Sequence, residues 1–102
     1  MQLFAKTLFI ASAFVMASAA SANLDLANAK TCTACHSVDS KVLGPAFKEI
    51  AAKYAGQADA VDHLVTSITT GSQGRWGPVP MPANPVSKEE ATTLANWILS
   101  LK

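Results

Sequence analysis

Two cysteines and a histidine fall within five residues, Cys32-Thr33-Ala34-Cys35-His36. Thiols three positions apart can each add across one vinyl group of a porphyrin. An imidazole directly after the second thiol is then held under the metal. A C-x-x-C-H run is the pattern of c-type haem attachment, in which Cys32 and Cys35 would carry the macrocycle and His36 would ligate the iron. Other chemistries compete for the same side chains. A redox dithiol of the thioredoxin kind calls for a βαβ context, and no segment alternates with period two. Zinc needs four donors, and the only cysteines and histidines are Cys32, Cys35, His36 and His63. Neighbours Cys35 and His36 cannot easily face one tetrahedral ion together with Cys32. A structural disulfide stays open in an oxidising compartment.

An iron bound through His36 has a second axial position. The chain has three methionines, of which Met1 and Met16 lie in the leader described next, leaving Met81 as the one thioether. Pro80 and Pro82 flank it, stiffening the backbone and removing two N–H donors. His63 is the rival donor. It lies about 200° from Val61 at about 100° per residue, off the apolar stripe, and reads as a solvated surface imidazole. Met81 could instead be loop filler against the core, but with an iron to ligate it is the favoured partner.

Residues 1–22 have the three parts of a secretory signal peptide. Lys6 gives a positive start, Leu8 to Met16 an apolar run, and Ala20-Ser21-Ala22 a small-residue cleavage site before Asn23. Ala17-Ser18-Ala19 offers a second cut. The apolar run is shorter than the ~20 residues of a spanning helix. Sixteen of these 22 residues are hydrophobic, against 50% for the whole chain, so the positive mean hydropathy of +0.24 belongs to the leader. Residues 23–102 then form one domain with seven basic and seven acidic side chains. A neutral surface argues against nucleic acid or stable attachment to an anionic membrane. A domain this small is marginally stable without a metal, disulfide or other staple. A buried porphyrin would serve as much of its core.

The remaining pattern predicts an all-α fold of about four short helices. Residues 24–31 read as a first helix running into the cysteine motif. Pro45 could open a second through Tyr54, stopped by Gly56. Asp59 is placed to cap a third, with Val61, Leu64, Val65 and Ile68 on one stripe and Gly71 as its stop. Ser87 and Glu90 form a capping box before a last helix whose face is Leu94, Trp97, Ile98 and Leu101, expected to pack on the first. Between Gly71 and Val86, glycines and prolines forbid a regular helix, and so long a loop in a small domain is usually functional. Met81 sits inside it.

Several segments together resemble the short bacterial monohaem class I cytochromes c of the c-551 type. They are the C-x-x-C-H run, Val42-Leu43-Gly44-Pro45-Ala46-Phe47, Ala51-Ala52-Lys53-Tyr54-Ala55-Gly56, Gly71-Ser72-Gln73-Gly74, Trp76-Gly77-Pro78-Val79-Pro80-Met81-Pro82 and Ala95-Asn96-Trp97-Ile98-Leu99-Ser100. The resemblance covers essentially all of residues 23–102 and implies a class I cytochrome c fold around one haem c. It implies that the Pro45 carbonyl accepts from Nδ1–H of His36, orienting the ring. It also implies that the Trp76 indole donates to a haem propionate and that Asn84 lies beside the Met81 sulfur. Relatives place a basic side chain on the inner propionate where this chain has Ser67; Arg75 is a candidate substitute.

The resemblance further implies a soluble, monomeric electron carrier of the periplasmic respiratory chain. Such carriers serve a nitrite reductase, a terminal oxidase, a bc1-type complex or a photosynthetic reaction centre. Two protein ligands leave the iron no open position, which suits a carrier rather than an enzyme. The competing class is a haem sensor or enzyme subunit with a labile Met81. Family members place small apolar side chains around the exposed haem edge, here Ala34, Val42, Leu43, Val79, Pro78 and Pro82. Lys30, Lys41 and Lys48 would add modest orientation of a partner.

Overall fold

The computed structural model describes residues 17–102. Helix α1 spans Ala17–Ala29, α2 Phe47–Tyr54, α3 Ala60–Thr70 and α4 Lys88–Ser100, with one 3-10 turn at Cys32–Ala34. Among the described residues there is no β-strand, only isolated bridges pairing His36 with Lys41 and Ser72 with Met81. The fold is all-helical, as expected.

Most of the segment read as a leader lies outside the described residues. Its last six residues extend α1 upstream of the expected start at 24, in keeping with the helix propensity of an alanine-rich run, so both candidate cleavage points fall within this helix. The other end comes earlier than expected. The helix stops at Ala29, and Thr31 takes a left-handed conformation, φ 62° and ψ 15°, that swings the chain into the Cys32–Ala34 turn. That region is uncommon for any residue but glycine and unfavourable for a β-branched one.

Helix α2 opens two residues after Pro45. Ala46 is extended, and the first helical N–H groups are taken by an upstream loop, Phe47 N–H donating to Ser37 O at 2.8 Å and Lys48 N–H to Val38 O at 3.2 Å. The Pro45 carbonyl is thereby left for a side chain. Asp59 stands at the N-cap of α3 but does not cap it. Its carboxylate lies instead 3.0 Å from His63 Nε2, so the capping expectation fails because a ring N–H one turn on competes for the same oxygens. Helix α3 ends at Gly71, φ +85°, where a Cβ would lie 2.7 Å from the Met81 carbonyl oxygen. Only glycine permits that approach, which lets Ser72 and Met81 exchange hydrogen bonds of 2.9 and 3.0 Å.

The capping box of α4 is complete, with Glu90 N–H donating to Ser87 Oγ and Ser87 N–H to Glu90 Oε1, both at 3.1 Å. The other carboxylate oxygen of Glu90 lies 3.1 Å from Lys30 Nζ, tying α4 to the end of α1. The Ser87 N–H and the Lys30 ammonium hold the Glu90 carboxyl below the usual carboxylate range. Helix α4 is the central element. It touches α1, as expected, but packs most extensively on α3 and then α2. Ala27 of α1 and Ala91 and Ala95 of α4 are fully buried, and small side chains let two helices approach closely. Phe47 meets Trp97 edge to face at 5.3 Å. Leu64 and Ile68 of the α3 stripe are buried beside Leu94 and Ile98.

Thr31 is exposed and its hydroxyl donates only to the neighbouring Lys30 carbonyl. Replacing it with glycine removes about 1–2 kcal/mol of left-handed strain and costs about 0.5–1 kcal/mol of extra unfolded-chain entropy. Thr31→Gly should therefore raise the denaturant midpoint by about 0.5–1 kcal/mol equivalent. An unchanged or lower midpoint would mean that the hydroxyl contact outweighs the backbone strain.

Candidate functional site

A cavity of about 580 Å³ opens between the helices, a size within the ~300–1,000 Å³ typical of cofactor pockets. All four helices supply its walls, through Ala27, Phe47, Ile50, Tyr54, Leu64, Ile68, Leu94, Trp97 and Ile98. Its charged lining residues are Lys41 and Arg75, both cationic, and no carboxylate reaches it. Such a site suits a large apolar group with anionic substituents, which is the chemistry of a porphyrin with two propionates. The remaining lining comes from the cysteine turn and the long loop. The structure thus gathers Cys32, Cys35, His36, Pro45, Trp76, Met81 and Asn84 around one space.

The 3-10 turn is closed by Cys35 N–H and His36 N–H, which both donate to the Cys32 carbonyl at 3.2 and 3.0 Å. Cys32 and Cys35 are free, half-buried thiols. Burial is the main influence on the Cys32 thiol and pushes it up from its usual value. A redox-active dithiol needs the opposite shift. No group of three or more His, Cys, Asp or Glu side chains able to hold a metal ion occurs among the described residues.

His36 is buried and its ring is fixed on three sides. Nδ1 lies 2.7 Å from the Pro45 carbonyl oxygen. A carbonyl only accepts, so Nδ1 carries a proton and Nε2 is the nitrogen left to face a metal. Phe47 stacks on the ring at 5.2 Å with a 25° interplanar angle. Gly44 covers it so closely that a Cβ there would lie 2.5 Å from Cε1 and 2.9 Å from Nδ1. Phe47 and Gly44 were not singled out in the sequence. The Gly44-Pro45 pair marks a turn, but only the folded chain shows that the missing side chain makes room for an imidazole.

Met81 is half-buried and packs against the core. The paired bonds to Ser72 hold it on one side. Asn84 anchors the other, its N–H donating to the Ile68 carbonyl at 2.9 Å and its side-chain amide lying 3.3 Å from Ile68 O and 3.4 Å from Pro82 O. His36 and Met81 therefore reach one cavity from separate loops, each immobilised by backbone contacts. Trp76 also lines the cavity, with the Lys53 ammonium 4.3 Å from its ring centroid. Ser67 is there as well.

His63 is not among the lining residues. It is a part-exposed surface imidazole, as expected, but one with several partners. The ring stacks on Tyr54 at 5.8 Å, Nε2 faces Asp59, and Nδ1 lies 3.1 Å from an Arg75 guanidinium nitrogen. Helical periodicity placed it off the core stripe correctly, but Arg75 comes from a loop that periodicity does not position.

At the cavity rim, Val42, Leu43 and Val79 are 54–60% exposed and Trp76 is 39% exposed. Ala34, Pro78 and Pro82 are exposed beside them. Of the lysines read as orienting groups, Lys30 is paired with Glu90 and Lys48 with Asp39 at 2.6 Å.

The cytochrome c family model matches residues 24–102. Cytochrome c-551 of Pseudomonas denitrificans is 62% identical over 78 residues, 76% of this chain and 95% of that protein. Cytochrome c-552 of Nitrosomonas europaea is 53% identical over 95 residues, 92% of each. The crystal structure of wild-type Nitrosomonas europaea cytochrome c552 matches with a TM-score of 0.75 at 54% identity, covering 78% of this chain and 99% of that one. The likeness thus extends from the C-x-x-C-H turn through the Met81 loop to the last helix. The chain belongs to the cytochrome c family, as a small electron carrier of the c-551 type with one covalently attached haem c.

Proposed function

We propose that the protein is a soluble, monomeric periplasmic carrier that moves single electrons between respiratory complexes and a terminal reductase or oxidase. Residues 1–22 would direct its export. Cys32 and Cys35 would hold the haem through two thioethers, and His36 and Met81 would be the axial ligands. The haem supplies a reversible one-electron iron couple. The observation that carries this reading is the His36 ring, locked through Nδ1 to the Pro45 carbonyl so that Nε2 is the nitrogen left for a metal, in an apolar cavity that it shares with the one methionine of residues 23–102.

The chain's own residues give the site its character. Pro45 raises the donor strength of His36 by accepting its Nδ1–H. Met81 is a soft donor that favours the reduced metal and raises the potential relative to a second histidine. With both iron-ligating positions taken by rigidly mounted side chains, substrates would be excluded and little rearrangement would accompany electron transfer, so the protein would act as a carrier rather than an enzyme. The Trp76 indole is the proposed propionate donor, and Asn84 shares the cavity wall with Met81.

The exposed rim of Val42, Leu43, Val79, Pro78 and Pro82 is the proposed exit for electrons. A nitrite reductase, a terminal oxidase or a bc1-type complex would dock there by apolar contact. Residues 23–102 carry no net charge, so long-range steering is weak. Transient redox complexes use small interfaces, in which one central charge is costly.

Ligation by Met81 is tested by the weak near-infrared charge-transfer band of a methionine–Fe(III) bond. The ferric protein should show it and Met81→Ala should lack it; a band that persists in the variant overturns the assignment. For the docking rim, Val79→Lys should slow electron transfer to the physiological partner severalfold while leaving the visible spectrum intact. An unaffected variant, together with a wild-type rate that falls steeply with salt, would show that charge governs docking instead.

A further inference from the structure

Residues 73–80 form the outer half of the loop that carries Met81, and all of them are exposed. Among the described residues, every hydrogen bond from this segment to the rest of the molecule passes through Arg75. Its guanidinium Nη1 donates to the Tyr54 hydroxyl at 3.2 Å and to His63 Nδ1 at 3.1 Å, and its carbonyl accepts from Lys53 Nζ at 3.3 Å. Tyr54 belongs to α2 and His63 to α3, so one loop residue is pinned to two helices. The Ser72–Met81 pair closes the neck of the loop separately.

The pin needs one protonation state. A guanidinium only donates, so His63 Nδ1 must accept and the ring proton sits on Nε2, facing Asp59 Oδ2 at 3.0 Å. A proton added to Nδ1 removes the acceptor and sets imidazolium against guanidinium, while the Asp59 contact survives. The groups facing His63 are Asp59 at the start of α3, Arg75 from the loop and Tyr54 from α2, with Lys53 5.9 Å from the Tyr54 ring. A proton on Nδ1 and the Arg75 contact therefore exclude each other, so the two are linked and acid favours the released loop.

We propose that Arg75, held by neutral His63, is a positioning residue for the Met81 loop, and that protonation of His63 releases it. The proposal rests on the assignment of Met81 as an iron ligand. It makes access to the iron depend on pH over the range in which imidazoles change charge, although neither His63 nor Arg75 is a ligand.

Cyanide binding to the ferric holoprotein tests it, because the probe must take the position that Met81 occupies and waits on loop opening. Between pH 8 and pH 5, where histidines titrate, the probe stays almost wholly hydrogen cyanide. Over that span the wild-type binding rate should rise roughly three- to tenfold, the size of one exposed charge-assisted hydrogen bond. His63→Gln presents an amide oxygen at every pH and should stay slow throughout. Arg75→Gln should be fast throughout. A wild-type ferric protein without the methionine–iron band overturns the ligation reading itself. With that band present, an Arg75→Gln rate equal to wild type at pH 8, or an undiminished pH slope in His63→Gln, overturns the pin.

Discussion

A cavity bounded by apolar faces of four helices cannot be left unfilled in a domain of this size. At about 24 cal/mol per Å³ of apolar void, a closed space of about 580 Å³ would represent roughly 14 kcal/mol. That equals the entire stability of an ordinary small domain, ~5–15 kcal/mol. The residues that line it are also the residues of the core: Phe47, Ile50, Leu64, Ile68, Leu94, Trp97 and Ile98 appear in both. Cofactor site and hydrophobic core are one construction. Helix α4 crosses the other three because each must turn its apolar face toward the same occupant.

The chemistry is carried by loops, yet the loops are not loose. His36 is set by a carbonyl, an aromatic ring and a glycine that leaves no spare room. Met81 is set by a two-bond bridge that exists because Gly71 admits a close backbone approach. If both are iron donors, as proposed, such rigid mounting is what a one-electron carrier requires, since any change of geometry between oxidation states adds to the barrier. The electrostatics agree with the packing: the wall presents cations only, toward a group whose polar edge is anionic. The apolar rim of Val42, Leu43 and Val79 lies where the cavity opens to solvent.

Much of this was legible in the residues themselves. The C-x-x-C-H run, the lone methionine between prolines and the Ser87–Glu90 box each express local chemistry, and local chemistry survives folding unchanged. The Pro45 carbonyl was legible only through family resemblance. The misses share a cause. Asp59 turns from its cap to His63, and His63 is drawn to Arg75, because a loop returns to α3 from twelve residues further along the chain. Thr31 sits in a conformation that its side chain disfavours because the turn into Cys32 demands it. Gly44 looks like ordinary turn punctuation until His36 is packed beneath it. Side-chain pairs made across long sequence separations are set by the fold as a whole, so periodicity and capping rules do not reach them.

The central claim is that the haem completes the core, and the most direct measurement removes the haem while leaving the apolar residues in place. A Cys32→Ala, Cys35→Ala chain lacking haem should give a circular dichroism spectrum of a largely unfolded chain with no cooperative melt, because residues 23–102 alone bury too little apolar surface to offset the ordering entropy. A haem-free variant with the full helical signal and a cooperative transition would contradict the account.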